Sequence, residues 1–509
     1  MPSVNAMYLH AGRADAAASA RGQPAAEASA VRGESSRRRL AGICRAVAPQ
    51  RVAASYASPT ESGADLFAHD AAGAPLTATV PLRHRPYFIG SDSEGIPEHL
   101  QSCGPEIPMV WRPREGGALA PQALAAAVRG LIDRELHAAG ALLLRGMGAL
   151  GIHNAEDFSR LCHGTGYDLF ECARPRCPRA VAAPLLTLPR RVLRSYTGGV
   201  TIRTEVAETV FPLSEEPPAV AMEPHSDNPY IAAPPRKLFF FCESLPPDGW
   251  AEGGSPIVDT RKLYHAVDPA VREKFEALGI QCESAPPGEP AFLCLSSDRR
   301  ARHMPDANFN PDQSQDNDFV PWQMSFKTQD RATVEQHLRR LGGYSWDWTE
   351  NGGLVRSRVA PPARPHHATG EMCWFNQLTA SHGSYFHAHP SFPELLANEP
   401  ETLTFESNPA GEMYPFHTRY GDGSEIPRAT VTYLRDLVWQ QAVGFRWQEG
   451  DLLVIDNYAV MHGRLGYSDT PEARRKMCAH ALLLLRLPRL PADRGRSLRR
   501  RLCRAGTSR

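Results

Sequence analysis

The chain has 509 residues, enough for one large domain or two ordinary ones. Its 56 Lys and Arg residues balance 56 Asp and Glu residues, so the net charge of zero gives no reason to expect a nucleic-acid partner. Spanning a bilayer takes about 20 consecutive apolar residues, and no run approaches that length, which predicts a soluble protein without a membrane partner.

The two ends of the chain differ in composition from the part between them. Residues 1–75 are rich in Ala, Ser, Gly and Arg and poor in aromatics, which predicts a disordered extension. Residues 1–60 hold eight arginines, no lysine and three acidic residues, a composition that also fits an organellar transit peptide. Localisation is therefore predicted as intracellular: cytoplasmic, or plastid or mitochondrial. Residues 488–509 are predicted to be a basic, solvated tail, which leaves 76–487 as the main domain.

The eleven cysteines show no paired Cys-x-x-Cys spacing. The densest group, Cys162, His163, Cys172 and Cys177, matches none of the usual structural-zinc spacings. We therefore predict reduced thiols, as is usual in an intracellular protein.

The ordered part of the domain is predicted to begin near Pro81 and to open with a helix, a strand and a second helix. Pro121 to Ala139 has a helical apolar face and is stopped by Gly140, and Ala141 to Arg145 follows as a short buried strand. Asn154 is the predicted N-cap of the second helix, which carries acidic residues in its first turn.

Further helices are predicted between residues 260 and 441. They are Thr260 to Gly279 with a break at Asp268-Pro269, Ala332 to Leu341, and Ala429 to Gln441. Residues 283–330 are rich in Pro, Ser, Asp and Gln and are predicted to be loops, while Trp346 and Trp348 are expected to pack against apolar neighbours.

Two distant stretches carry candidate metal ligands. His225-Ser226-Asp227 places an imidazole and a carboxylate two residues apart, and on an extended strand such residues share a face. Among nineteen histidines one such pair is a weak signal, so a third ligand must be found elsewhere. His462 follows a Gly-Asp turn and a buried strand that ends in Asp456-Asn457. Two histidines and one carboxylate form the facial triad of non-haem Fe(II) oxygenases. The competing histidines are His382, His387, His389 and His417.

The order and spacing of the surrounding motifs carry a family resemblance over roughly residues 105–487. After His-x-Asp come Pro-Pro-x-x-Leu-x-Phe-x-Cys, a Gly-Gly turn, Trp-Phe-Asn-Gln, Tyr-Gly-Asp-Gly and Gly-Asp-x-x-x-x-Asp-Asn-x-x-x-x-His-Gly-Arg. The chain resembles the TauD/TfdA family of Fe(II)/2-oxoglutarate-dependent dioxygenases, and within it the SyrP-like branch.

The resemblance implies a fold, cofactors and a ligand set. The fold is expected to be mainly β with flanking helices, a double-stranded β-helix (jelly roll) of the clavaminate synthase-like kind. The cofactor is expected to be Fe(II), with 2-oxoglutarate and O2 as cosubstrates. His225, Asp227 and His462 are the implied metal ligands and catalytic residues.

The resemblance also implies residues that bind the cosubstrate. An arginine on the strand after the distal histidine holds the far carboxylate of 2-oxoglutarate, because its planar guanidinium donates two parallel hydrogen bonds. Arg475 matches this position, and its neighbour Arg474 is expected to point the other way. Relatives have a threonine just after the Gly-Gly turn, where this chain has Ser255 and Pro256. Either Ser255 takes the cosubstrate-binding role, or Pro256 replaces the threonine and the bond is lost.

The predicted reaction is hydroxylation of an unactivated C–H bond of a small molecule, with release of succinate and CO2. The SyrP-like resemblance implies an amino acid, free or tethered to a carrier protein. Because Asp227 keeps the carboxylate ligand, no protein-vacated position is open to a halide. The alternatives are a non-catalytic jelly-roll module, which a degenerate triad would signal, and nucleic-acid binding through the arginine-rich ends. The oligomeric state is not predicted.

Overall fold

Two β-sheets form the centre of the molecule. The computed structural model describes residues 66–114, 119–168, 206–213, 217–231, 233–245, 254–284, 322–326, 328–349, 352–390, 416–467 and 476–482. The strands of the seven-stranded sheet are β1 (Phe67–His69), β3 (Met109–Pro113), β4 (Ala141–Leu144), β5 (Phe211–Pro212), β7 (Lys237–Ser244), β16 (Leu452–Asp456) and β18 (Lys476–Leu482), in the order β1-β3-β4-β16-β7-β18-β5. The strands of the five-stranded sheet are β2 (Gln101–Ser102), β6 (Met222–His225), β8 (Ile257–Asp259), β15 (Val443–Gly444) and β17 (Val460–Arg464), in the order β2-β15-β8-β17-β6.

Strand β7 is buried on both faces, which explains its nearly continuous apolar sequence. Leu238 and Phe240 contribute to an apolar cluster that also contains Ile257 and Val460 of the five-stranded sheet, so this cluster lies between the two sheets. Phe239 and Phe241 point the other way, into a cluster formed with the helices. The sheet pair with flanking helices confirms the predicted class, mainly β with helices outside.

The flanking helices begin and end close to where the sequence predicts. Helix α1 (Pro121–Ala139) ends at Gly140, whose φ of 78° is the left-handed conformation that glycine adopts without strain. Helix α2 (Ala155–Gly164) is capped as predicted, because the Asn154 side chain accepts a hydrogen bond from the Asp157 backbone N at 2.9 Å. Strand β4 confirms the predicted strand between them.

The later helices also agree with the sequence. The predicted break at Asp268-Pro269 separates α3 (Thr260–Ala266) from α4 (Pro269–Leu278), because the Asp268 side chain accepts from the first backbone N–H groups of α4. A short helix, α5 (Trp322–Phe326), comes next in the chain. The predictions for α6 (Arg331–Leu341) and α7 (Arg428–Gln441) are confirmed to within one residue at each end.

Two predicted boundaries are wrong. Strand β1 pairs with β3 and Phe67 is buried, so ordered structure begins before residue 75 and well before Pro81. Residues 283–330 are not all loop, because β9 (Ile280–Ser284) extends into them and α5 lies near their end.

Both of these elements belong to a smaller region built around a further, four-stranded sheet. Its strands β9, β10 (Tyr344–Trp348), β11 (Leu354–Ala360) and β14 (Phe416–Tyr420) run in the order β10-β11-β9-β14. Trp346 and Trp348 pack against the cluster that contains Trp322 and Phe326, which confirms their predicted packing role. A two-stranded sheet, β12 (Arg364–Pro365) with β13 (Met372–Cys373), completes the set.

Several predictions concern segments outside the described residues. These are the transit peptide or disordered extension up to residue 65, the basic tail at 488–509, and Cys172 and Cys177 of the weak zinc pattern. Of the other two residues in that pattern, Cys162 is fully buried in α2, and His163 Nε2 lies 3.1 Å from Thr209 Oγ1. No helix among the described residues is long and apolar enough to cross a membrane.

Candidate metal centre

The pairing of β6 with β17 brings two of the predicted ligands together. In this antiparallel pair, His225 and His462 are direct cross-strand partners, although they lie far apart in the sequence. Directly opposite residues have Cβ atoms about 4.5–5.5 Å apart. The two imidazole rings have centroids 4.8 Å apart and are tilted by 40°. The register of one strand pair therefore places both histidines on one face.

Asp227 also lies beside His225, but the backbone conformation that places it there is not the one that the sequence spacing suggests. Strand β6 ends at His225, so His225 and Asp227 do not share one extended strand, and that part of the prediction is wrong. Asn228, the next residue, has φ of 52°, which turns the chain directly after the carboxylate. Asp227 Oδ1 lies 3.6 Å from His225 Nε2. The ligand atoms of His225, Asp227 and His462 all lie within 4.8 Å of one another.

The hydrogen bond of His225 fits metal binding. Its Nδ1 lies 2.8 Å from the backbone O of Glu223, which can only accept, so Nδ1 carries the ring proton. Nε2, the other ring nitrogen, lies on the side of Asp227. Metal-bound histidines commonly donate their other ring N–H to a carbonyl or carboxylate in this way. With two imidazoles and one carboxylate, the donor set matches non-haem Fe(II).

A buried ion pair supports strand β6 behind the ligands. The Glu223 carboxylate pairs with Arg435 of α7, and Arg435 also donates to Ser384 Oγ at 2.9 Å. Burial raises the pKa of the Glu223 carboxyl, and the adjacent Arg435 guanidinium opposes that shift. Sequence reasoning missed this pair, because nothing local connects residues 223 and 435.

Ser255 lies just before β8, the strand on the other side of β17. Ile257, the first residue of β8, lies two positions after Ser255 and is the cross-strand partner of His462. Ser255 is buried, and its Oγ accepts a hydrogen bond from the indole Nε1 of Trp447 at 3.1 Å. Because Trp447 occupies a lone pair, the Ser255 hydroxyl proton is left to donate elsewhere.

Arg474 and Arg475 lie outside the described residues, immediately before β18. That strand pairs with β7 from Lys476 onward.

The competing histidines lie in a separate cluster. His382 and His417 have ring centroids 4.7 Å apart, and His417 Nε2 donates to Glu425 at 2.9 Å. Among the described residues, the ligand group around His225 includes His462 but none of His382, His387, His389 and His417. This geometry favours His462 as the third ligand.

A second group of potential ligands was missed from the sequence. It consists of His137, His366, His367 and Asp456, whose ligand atoms also lie within 4.8 Å of one another. In the sequence, Asp456 stands out only as the residue before Asn457. The three histidines come from α1 and from the turn between β12 and β13.

Gly463 allows the close approach of β17 to β6. It lies at the register shift between His462 and Arg464, and a Cβ there would come within 2.6 Å of Met222 O and 3.0 Å of Pro224 N. We expect Gly463→Ala to push the strands apart, to cost about 1–3 kcal/mol of folding stability and to weaken metal binding. Thermal unfolding and Fe(II) titration measure both effects. Gly104→Ala is the control, because a Cβ at Gly104 meets nothing within 4 Å. Equal metal affinity in both variants would contradict the expectation.

Comparison with known proteins identifies the family of the chain. A sheet pair that carries a candidate site of two histidines and one carboxylate is typical of the class of Fe(II)- and 2-oxoglutarate-dependent oxygenases. A profile described as "Taurine catabolism dioxygenase TauD, TfdA family" matches residues 111–479, most of the chain and all three candidate ligands. The chain belongs to this family. It is therefore an oxidoreductase with the jelly-roll fold, and it uses Fe(II), 2-oxoglutarate and O2.

Two curated relatives are similar over much of their length. A clavaminate synthase-like protein of Arabidopsis thaliana is 26% identical over 349 residues, covering 68% of this chain and 84% of the relative. The dapdiamide synthesis protein DdaC of Enterobacter agglomerans is 26% identical over 270 residues, covering 53% and 69%. Among solved structures, PvcB of Pseudomonas aeruginosa matches with 14% identity and a TM-score of 0.36, covering 77% of this chain and 92% of that one.

Proposed function

We propose that this protein hydroxylates an unactivated C–H bond of an amino acid, free or tethered to a carrier protein, with release of succinate and CO2. The observation that carries the proposal is the group of His225, Asp227 and His462, in which His225 Nδ1 bonds to Glu223 O and Nε2 lies on the side of Asp227. The amino-acid substrate is supported by the SyrP-like pattern of motifs. It is also consistent with the similarity to DdaC, which is named for dapdiamide synthesis.

Each residue has a defined task in this proposal. His225, Asp227 and His462 would hold Fe(II), a donor set that keeps positions open for a cosubstrate and dioxygen. Arg475 binds the far carboxylate of 2-oxoglutarate through two charge-assisted hydrogen bonds. With Fe(II) bound, oxidative decarboxylation of 2-oxoglutarate supplies an oxidant strong enough to remove hydrogen from an unactivated C–H bond.

The retained carboxylate of Asp227 determines which group is transferred. Because Asp227 occupies a coordination position, chloride has no position vacated by the protein. We expect a product heavier by one oxygen atom, and with labelled dioxygen gas that atom carries the label. Mass spectrometry of reactions run in chloride buffer tests this, and a chlorinated product would contradict it.

Ser255 is proposed to donate its hydroxyl to the cosubstrate carboxylate. A hydrogen bond to a charged group contributes about 1.5–3 kcal/mol, so Ser255→Ala should raise the KM for 2-oxoglutarate roughly 10- to 100-fold. Steady-state succinate formation at varied 2-oxoglutarate measures the change. Ser159→Ala is a matched control, since Ser159 is equally buried but donates to Glu208 O next to α2. An unchanged KM in Ser255→Ala would mean that Pro256 has replaced the family threonine and that the bond is absent.

Anaerobic titration tests the proposed enzyme against a non-catalytic jelly-roll module. Adding Fe(II) and then 2-oxoglutarate to the purified protein should produce a weak visible charge-transfer band, which a binding module without this chemistry would not give. Candidate amino acids are then screened, each free and as a thioester on a carrier protein, for product formation coupled to succinate. Succinate formed without oxygenated product identifies a wrong substrate, and no succinate with any candidate would contradict the proposal.

A further inference from the structure

The side chain of Asn457 is bonded to the backbone of the proposed ligand Asp227 on both sides. Asn457 Oδ1 accepts from Asp227 N at 2.8 Å, and Asn457 Nδ2 donates to Asp227 O at 2.9 Å. Nδ2 also donates to Pro235 O at 2.8 Å, and the side chain is fully buried. One amide group therefore holds both polar backbone groups of the residue that supplies the carboxylate.

The orientation of this amide is determined by its partners. A flipped side chain would set the Nδ2 hydrogens against the Asp227 N–H and would leave two carbonyl oxygens without donors. Because Asp227 lies beyond the end of β6, no strand pairing fixes its backbone at this point. The bonds from Asn457 take over that function.

Asp456, the residue before Asn457, is also held by side-chain hydrogen bonds, but to other partners. Asp456 is fully buried, and its Oδ2 accepts from His137 Nδ1 at 3.0 Å and from His366 Nε2 at 2.9 Å. Its Oδ1 accepts from the Tyr458 backbone N at 3.1 Å. Burial alone would raise the pKa of Asp456, but the hydrogen bonds from His137 and His366 reverse this and hold it well below its usual range. The turn that presents Asn457 is thus fixed from both sides.

The hydrogen bonds of His366 fit a donor to the Asp456 carboxylate better than a metal ligand. His366 Nδ1 accepts from the backbone N of Thr369 at 3.1 Å, so this nitrogen carries no proton. In the neutral ring the proton is then on Nε2, which donates it to Asp456. A metal bound to Nε2 would need that lone pair free and would require Nδ1 to carry a proton against the Thr369 N–H.

We propose that Asn457 is a positioning residue, which aims the Asp227 carboxylate at the metal through its three hydrogen bonds while the bonds of Asp456 fix the turn that presents it. This inference rests on the proposed function, because it assumes that Asp227 is a metal ligand. Mutations of groups that orient a ligand typically weaken metal binding 10- to 100-fold.

The test compares Asn457→Ala and Asn457→Asp with the wild-type chain. Anaerobic Co(II) and Fe(II) titrations, followed by the visible spectrum of bound Co(II), measure metal affinity and geometry without turnover. Both variants should bind metal about 10- to 100-fold more weakly, with an altered Co(II) spectrum. Asn457→Asp should be at least as damaging as Asn457→Ala, because it keeps the volume but turns an acceptor toward Asp227 O and Pro235 O. Saturating Fe(II) should restore much of kcat, since Asp227 itself remains.

The control is Asn154→Ala, which removes the helix cap of α2 and lowers stability without touching a proposed ligand. It should keep wild-type metal affinity and Co(II) spectrum. The inference is overturned if the Asn457 variants bind metal as the wild type does, or if Asn457→Asp is the milder change, as a purely space-filling role requires. Two metal ions per wild-type chain would overturn the assignment of the Asp456 cluster. If the wild type itself binds no Fe(II), the proposed function fails instead, which keeps the two failures distinguishable.

Discussion

Replacing His462 with alanine is expected to abolish Fe(II) binding and turnover while the protein stays folded. One of three protein ligands is lost, so the loss of metal affinity should exceed the 10- to 100-fold that follows changes around the ligands. The fold should persist, because the backbone pairing of β17 with β6 and β8 does not use the imidazole. Fe(II) binding is measured as the metal content after anaerobic dialysis, and turnover as succinate formation. Melting followed by circular dichroism shows whether the protein stays folded.

His387→Ala is the matched control for this experiment. His387 is a competing histidine that lies outside the ligand group around His225, so the variant should retain iron. If His462→Ala keeps full activity, or if His387→Ala loses the metal, the third ligand has been assigned to the wrong residue.

Replacing Arg475 with alanine is expected to raise the KM for 2-oxoglutarate roughly 30- to 1000-fold, corresponding to about 2–4 kcal/mol. The two charge-assisted hydrogen bonds to the far carboxylate are lost. Arg475→Lys should fall between the wild type and alanine, because an ammonium keeps the charge but not the planar pair of donors. Initial rates of succinate formation at saturating Fe(II) give the KM.

Arg474→Ala separates this role from a general effect of positive charge. On an extended strand Arg474 points away from Arg475, so its removal should change the KM little. A large effect of Arg474→Ala together with a small effect of Arg475→Ala would show that the strand presents the other arginine.

The sequence predicts those parts of the structure that depend on short-range signals. Helix α1 could be predicted to the residue because a proline begins it, a regular apolar face continues it and Gly140 ends it. The position of His462 opposite His225 agrees with the sequence, where a buried strand directly upstream fixes where its side chain emerges. The five-residue helix α5 could not be predicted, because it is too short to show a period and lies among polar residues.

The contacts that hold the site together were not predictable, since they join distant residues. The pairs Glu223 with Arg435 and Asp227 with Asn457 carry no local signature. The His225-x-Asp227 spacing predicted that these two side chains lie together, but a turn at Asn228, and not a common strand, sets the Asp227 carboxylate beside His225.

The bond from Asp227 N to Asn457 Oδ1 joins residues 230 positions apart. Forming this contact requires the chain to close a large loop, which costs conformational entropy. A chain that has not docked β17 onto β6 does not bring His225 and His462 together. Because the unfolded chain has no assembled site, iron bound at the proposed site would add to the stability of the folded state. Iron retention would then report whether this long loop is closed.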